Sequence, residues 1–435
     1  MQLEGILIKN AKSRSPFSIG LQYNPPARGV WNIANMAMLI PESHVIFVCP
    51  MGCMRGVTLT AAEMNTKHRF SAIFVTEQEI LIGSEESLII NGVSEILDAM
   101  ENKPKAVSIF TSCVDQFLGT DHKMVFQSLQ EKYPHIEFIE CFMTPTMRKG
   151  GLPPDPIMRR QLFSLLEPTH KKSKTVNFIG NNLPLPEENE IKQLIQRAGY
   201  KSLDLGNCRS FTEYKKMEES GLNIMIHPNG KKAVEELSNR LGIKNIQIPL
   251  TYHFSEMQEN YKKLAEELGV KWTQQEEEIL EKIKFRAEQT IKRVKDKLHK
   301  TPLSIDYTMT GRPFGLARQL LEFGFSVKEI YAESCLLEEE EDFLWLQKYG
   351  GELTWYYPMA PQMAMAERRE RKEFLALGQV AAYFCNTPYF VNVVESDGMY
   401  GFHGLEELMK KMEEAVENEK DTSRLIQIKA LGCCG

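Results

Sequence analysis

Cysteine carries the most chemical reach in this chain, and two of its nine cysteines stand where a thiolate is favoured. Cys53 follows the apolar run VIFVC through a Pro-Met-Gly turn and opens a helical segment. Cys113 closes a second apolar run, AVSIFTS, and opens another helix. Free N–H groups and the dipole at a helix start stabilise a thiolate, and thiolates are the ligands of iron–sulfur clusters. Each could equally be a buried structural thiol, since free cysteine is among the most buried residue types. Cys49, at a strand end four residues before Cys53, is either a third ligand or a core thiol. Cys141, Cys208, Cys335 and Cys385 are scattered in apolar or strand-end settings and read as core thiols. Cys433 and Cys434, in the terminal LGCCG, form a pair that a mobile tail could bring to a metal or to another chain.

No C-x-x-C pairs with a second C-x-x-C, which argues against a four-ligand zinc site. The consecutive C-x₂-C-x₂-C of a bacterial ferredoxin is also absent. If Cys53 and Cys113 hold a [4Fe–4S] cluster, two ligands must come from elsewhere. The simplest source is a second homologous chain, and in a two-fold homodimer two per chain gives four.

Other polar groups are candidates with less specific signals. His227-Pro228-Asn229-Gly230 ends a strand; it could orient an anionic ligand at a helix N-terminus or be only a turn. Arg312 occupies the equivalent loop further on and could hold a carboxylate bidentately or simply face solvent. Arg148 and Lys149 sit in a loop, MRKGG, that could border a cleft. His253 follows another strand end, and His403 reads as a packed loop residue. The stretch 359–365, MAPQMAM, could line an apolar cofactor pocket or pack in the core. The basic run 368–372 and the acidic run 338–342 read as solvated helix segments.

These residues are placed by a repeating pattern: an apolar run rich in Val, Ile and Phe, a Gly/Pro/Ser turn, then helical spacing. Strands are expected at 44–49, 106–112, 175–180, 222–227 and 303–309. Helices are expected at 53–65, 114–133, 187–198, 231–241, 274–299 and 313–323. Alternation of this kind implies parallel sheets covered on both faces. Breaks at 167–174 and around 274–299 suggest three doubly wound, Rossmann-like α/β domains, at 1–170, 171–300 and 301–435. In open parallel sheets, ligands sit outside the carboxyl ends of the strands. That rule selects the loops 49–53, 112–113, 180–183, 227–230, 309–312 and 334–335, which three such domains would turn toward a central cleft.

The bulk properties fit a globular protein: 43% hydrophobic and 25% charged residues. A net charge of −6 and the lack of a basic stripe argue against nucleic acid. No run of about 18 apolar residues is present, so no membrane span is expected. Residues 1–12 lack the pattern of a signal peptide; the expectation is a reducing, cytoplasmic setting, with thiols or metal ligands in place of disulfides.

Three ordered motifs carry a family resemblance. Residues 48–56, VCPMGCMRG, resemble the segment around a cluster cysteine of nitrogenase component 1 subunits. Residues 77–88, EQEILIGSEESL, resemble that family's acidic stretch, and 111–121, TSCVDQFLGTD, its T-x-C segment. Residues 175–180 and 188–198 resemble the start of its second domain. The resemblance implies three Rossmann-like layers, a paired homologous subunit, and a cluster between the two. It also implies a separate ATP-hydrolysing iron protein as electron donor, and a metallocofactor, tetrapyrrole or other substrate in the cleft. The chain itself has no G-x-x-x-x-G-K-[ST] phosphate loop.

Departures from the family pattern narrow the expectation. Residues 24–29 read NPPARG where the first cluster cysteine belongs, so a [4Fe–4S] cluster fits better than an eight-iron one. Residues 226–229 read IHPN where the cysteine anchoring the iron–molybdenum cofactor belongs, so dinitrogen reduction is not expected. Residues 395–404, ESDGMYGFHG, stand near the family's cofactor histidine. The leading reading is a nitrogenase-like reductase subunit. The alternatives are a cofactor-assembly scaffold of the same fold and a non-redox chelate-binding protein.

Overall fold

The computed structural model describes residues 5–17, 20–27, 33–63, 65–143, 154–368 and 370–426. Arg148, Lys149, Cys433 and Cys434 lie outside the described residues. The strands are β1 (Ile6–Leu7), β2 (Ser43–Cys49), β3 (Phe70–Phe74), β4 (Ala106–Ser112), β5 (Glu137–Met143), β6 (Thr175–Ile179), β7 (Lys201–Asp204), β8 (Leu222–Met225), β9 (Lys244–Gln247), β10 (Pro302–Asp306), β11 (Ser326–Tyr331), β12 (Thr354–Tyr356), β13 (Leu375–Leu377) and β14 (Phe390–Val391). They form three sheets, ordered β3-β2-β4-β5, β7-β6-β8-β9 and β1-β12-β11-β10-β13-β14. Every pairing is parallel except that of β1 with β12. The expected α/β class with Rossmann-like parallel sheets is the class observed.

The chain divides into two compact units. One comprises Trp31–Pro184 and Gly199–Gln247 and holds the first two sheets. The other comprises Met1–Val30, Leu185–Ala198 and Ile248–Gly435 and holds the third.

Strands β2 and β4 are buried at every position, as central parallel strands must be. Their side chains alternate between two cores. Val45, Phe47 and Cys49 join Ala106 and Phe110 in one, while Ile46 and Val48 join Val107 and Ile109 in the other. Phe47 pairs with Phe110 across the strands, and the rings stack with centroids 4.4 Å apart. A one-residue slip would turn both strands inside out, so this stacked pair pins the register and with it the height of the two strand ends.

Two expected helices are redrawn. The helix after β2 runs Met51–Glu63, so the Pro-Met-Gly turn is already its first turn. The helix expected over 114–133 is two helices, Cys113–Leu118 and His122–Lys132. Gly119 closes the first in a left-handed conformation (φ 70°), and the Asp121 carboxylate caps the second by accepting from Met124 N at 3.0 Å. The basic run at 368–372 is not a helix among the described residues. Arg368 stacks on the Tyr383 ring at 3.7 Å, and Arg371 pairs with Glu329 at 2.8 Å. In the acidic run, Glu339 and Asp342 are buried, not solvated.

Truncating a stacked ring at a fully buried strand position leaves a cavity and removes the register pin. Phe110→Ala is expected to cost about 3–5 kcal/mol of unfolding free energy, read from urea titration of the full chain. A cost below about 1 kcal/mol would show that the Phe47 pairing does not anchor the first sheet.

Candidate functional site

In the first sheet the chain order reverses between β2 and β4. Such a switch point opens a crevice at the carboxyl ends of the two strands. Cys49 ends β2, Cys53 lies in the first turn of the helix that follows, and Cys113 is the first residue of the helix after β4. All three predicted metal ligands are therefore brought to one crevice by the fold.

They are not equivalent. Cys53 is exposed and Cys113 is half-buried. Cys49 is fully buried and donates its S–H to the Met54 thioether at 3.0 Å. Burial pushes its pKa up to about 12, with Cys53, Asp115 and Cys113 close enough to add to the shift. Cys49 is thus a neutral thiol under the site, while the two reachable sulfurs are Cys53 and Cys113. Two cysteine sulfurs are half of the shell a [4Fe–4S] cluster needs, so the donor set fits such a cluster divided between two chains. Among the described residues, no three His, Cys, Asp or Glu side chains stand together as a ready ion site.

Beneath Cys113 lies a pair of acids that the sequence reading missed. Ser112 and Asp115 form a capping box: Ser112 Oγ accepts from Val114 N, and Asp115 Oδ2 accepts from Ser112 N. Glu85 accepts from Thr120 Oγ1 at 2.6 Å, and Glu86 accepts from Asp121 N at 3.0 Å. Asp115 and Glu85 are each 1% exposed. Their remaining oxygens, Oδ1 and Oε1, receive no other donor, and the two carboxyls are within hydrogen-bonding reach of each other. Burial first, then Glu85, pushes the Asp115 carboxyl far above the usual range. A proton on Asp115, donated to Glu85, satisfies both oxygens at once. The S-x-x-D spacing at 112–115 was the available signal.

The second sheet has its own switch point, between β6 and β8, and there the crevice is filled. A side chain on Gly180 would collide with Gly230, 2.8 Å from its Cα. Arg159, from the helix Pro154–Gln161, is 1% exposed and donates to Asn182 Oδ1 at 2.8 Å and to Asp155 at 3.0 Å. His227 accepts from Asn229 N at its Nδ1, 3.3 Å away. Burial and the Arg159 charge push its pKa down to about 3, so the ring is neutral with its proton on Nε2. His227 and Asn229 are thus brought together in the strand-end turn.

Arg312 belongs to the other unit and is 8% exposed. Its guanidinium donates to Leu250 O and Glu338 O, both at 2.9 Å, and pairs with Asp342 at 3.4 Å. The same Asp342 takes His253 Nε2 at 2.7 Å. Arg312 and His253 are therefore parts of a buried internal network. His403 is buried in the helix Gly401–Glu417, and the 3-10 turn Pro361–Met365 holds Met363 buried and Met365 exposed.

Large apolar side chains are left uncovered at the cysteine end of the first sheet. Met51 precedes Cys53, and Phe117, 84% exposed, follows Cys113 by one turn. Leu81 and Ile82 stand on the helix Glu77–Ile82 after β3, with Leu81 85% exposed. A cluster of this kind marks an interaction surface.

The Asp115–Glu85 pair generates a pH test. A carboxyl whose pKa is raised by folding contributes stability below its ordinary pKa and loses it as pH climbs toward the folded value. Wild-type stability is therefore expected to fall as pH rises above the ordinary carboxylate range. Asp115→Asn, whose amide can donate to Glu85 and accept from Ser112 N, is expected to flatten that slope in denaturant titrations at several pH values. Asp115→Ala is expected to cost about 2–4 kcal/mol. An unchanged slope in the Asn variant would rule out the shared proton.

Comparison with known proteins gives a consistent placement. Nitrogenase Cp1 at pH 6.5 is 15% identical in sequence, with 94% of this chain and 96% of that chain covered and a TM-score of 0.68. Nitrogenase Cp1 at pH 5 is 13% identical, with 92% of each chain covered and a TM-score of 0.57. At such identities the likeness is one of fold. No curated protein sequence matches significantly. Among the described residues, no helix is long and apolar enough to cross a membrane. The family model for nitrogenase component 1 type oxidoreductases matches residues 33–417, nearly the whole chain, and the protein belongs to that family.

Proposed function

We propose that the chain is an iron–sulfur reductase subunit whose Cys53 and Cys113 supply half the ligands of a [4Fe–4S] cluster. The other half comes from a homologous or identical second subunit. The observation that carries this reading is the pair of accessible sulfurs at one switch point, with uncovered apolar side chains on the helices that follow β2, β3 and β4. Such a rim fits burial against a partner. Electrons come from a separate ATP-hydrolysing iron protein, since this chain has no phosphate loop of its own. They pass to a metallocofactor, a tetrapyrrole or another bound substrate, in a reducing cytoplasmic setting.

When bound, the cluster supplies one-electron transfer at a potential set by its burial and hydrogen bonds. The chain's own residues hold and tune it. The capping box fixes the backbone at Cys113, and the first turn of the helix Met51–Glu63 fixes Cys53 through the bond from Cys53 N to Pro50 O at 2.9 Å. The Asp115–Glu85 pair, by sharing a proton, keeps one negative charge instead of two beneath thiolates that are themselves anionic. His227, neutral and accepting from Asn229 N, holds the turn that closes the second sheet's switch point. Arg312 acts through the network it braces. With no cysteine at 226–229 to anchor an iron–molybdenum cofactor, the substrate is not dinitrogen.

The test is anaerobic purification, alone and with a co-purifying homologue, followed by iron and acid-labile sulfide assay and EPR after dithionite. About four irons per subunit pair are expected, lost in Cys53→Ala and in Cys113→Ala and retained in Cys49→Ala. Iron that survives both of the first two substitutions would overturn the assignment.

A further inference from the structure

The helix Glu340–Tyr349 buries one face and leaves an apolar stripe on the other. Inward, Asp342, Phe343 and Leu346 are buried. Asp342 takes His253, Arg312 and Arg318, and the Phe343 ring meets Phe314 and Trp355 edge-on, with centroids 6.3 and 6.0 Å away. These contacts fix the helix in place. Residues three, four and seven apart share a helix face, and the outward side repeats that spacing. Glu341, Leu344, Trp345, Lys348 and Tyr349 lie along it, and the 3-10 turn Leu337–Glu339 sets Leu337 at its head. Leu337 is 64% exposed, and Leu344 and Tyr349 are 57% exposed. Trp345 is half-buried; its ring lies 5.1 Å from that of Tyr349, and the Arg318 guanidinium stands 5.5 Å over it. A surface helix turns a polar face to water, whereas this one has a second apolar face already in order.

The charges on the stripe decide what covers it. Glu341 stands one turn before Leu344 and Trp345, and Lys348 one turn after them. Both are exposed, and neither has an ion-pair partner among the described residues; Lys348 only reaches the Tyr349 ring, at 4.9 Å. Glu340, beside the stripe, is paired with Arg14 at 3.4 Å. An acid at one end and a base at the other make the face complementary to itself reversed. In a two-fold pairing, residue i meets residue j and j meets i. With the axis between Leu344 and Trp345, Leu344 of one copy faces Trp345 of the other and Glu341 faces Lys348, each contact occurring twice. A parallel pairing would oppose like charges, and a partner surface of one sign would repel either Glu341 or Lys348.

We propose that the outward face of the helix Glu340–Tyr349 pairs with the same face of a second copy of this chain, antiparallel about a two-fold axis. The helix and the cysteines Cys53 and Cys113 belong to different compact units, so this contact is separate from the cluster-bearing face. It joins copies whether or not a cluster is held.

The test is sedimentation equilibrium of the full chain over about 1–100 μM, without oxygen. Wild type is expected to reach twice the mass of Leu344→Glu at the same concentration. The doubling is expected to persist in a Phe117→Glu background, which alters the cysteine face, so its loss and the loss of the cluster are separate results. Charge reversal identifies the occupant. Glu341→Lys and Lys348→Glu each set like charges together at both contacts and are expected to weaken association about tenfold or more. Mixed one to one, the two variants carry opposite charges at both contacts, and the mixture is expected to associate as tightly as wild type. All the substituted positions are exposed, so the variants are expected to unfold at the wild-type temperature. Equal masses for wild type and Leu344→Glu overturn the proposal, as does a mixture that associates no better than either variant alone.

Discussion

The pairing of β2 with β4 is the constraint on which the candidate metal centre rests. The two cysteines with reachable sulfurs are 60 residues apart in the chain, and neither has a metal-binding motif around it. They meet because two fully buried strands lie side by side in one register, stacked through Phe47 and Phe110. The sheet also turns its chain order at that line, so both following helices start on the same edge. Moving the register by one residue would carry Cys49 from one core to the other and take the site apart.

The three sheets use the same topological feature differently. The first leaves its switch point open and lines it with sulfur. The second closes it with a backbone contact between Gly180 and Gly230 and a buried arginine. The third fills it with a carboxylate. Asp306 accepts from Thr308 N at 2.6 Å and Met309 N at 3.1 Å, and Gly378 (φ 113°) leaves room for it where any side chain would collide. Equivalent positions in equivalent sheets thus became a pair of reachable sulfurs, a packed joint and a turn scaffold.

Much of this was legible in the sequence. Apolar runs ending in turn residues marked the strands, and the rule about strand ends singled out Cys49, Cys53 and Cys113 without a structural template. What could not be read depended on distant partners. Glu85 and Asp115 look like ordinary helix-start acids until the fold sets them against each other. Arg312 and Asp342 look like surface charges until they neutralise each other in the interior. The break at Gly119 was readable as glycine chemistry, but helical spacing on both sides masked it. The basic run at 368–372 suggested a solvated helix because charge patterning does not reveal that Glu329 and Tyr383 wait across the sheet. Local pattern specified the scaffold and the thiols, whereas pairings far apart in sequence specified the electrostatics.

The uncovered rim of Met51, Leu81, Ile82 and Phe117 also bears on the life of the chain before it is assembled. A freshly folded copy carries a greasy, sulfur-bearing face that water tolerates poorly and that is prone to self-adhesion. On the proposed reading, in which a second subunit covers that face, a copy made in excess of its partner is the one exposed to self-adhesion and removal. Matched synthesis of the two sides would then be the consequence of four side chains.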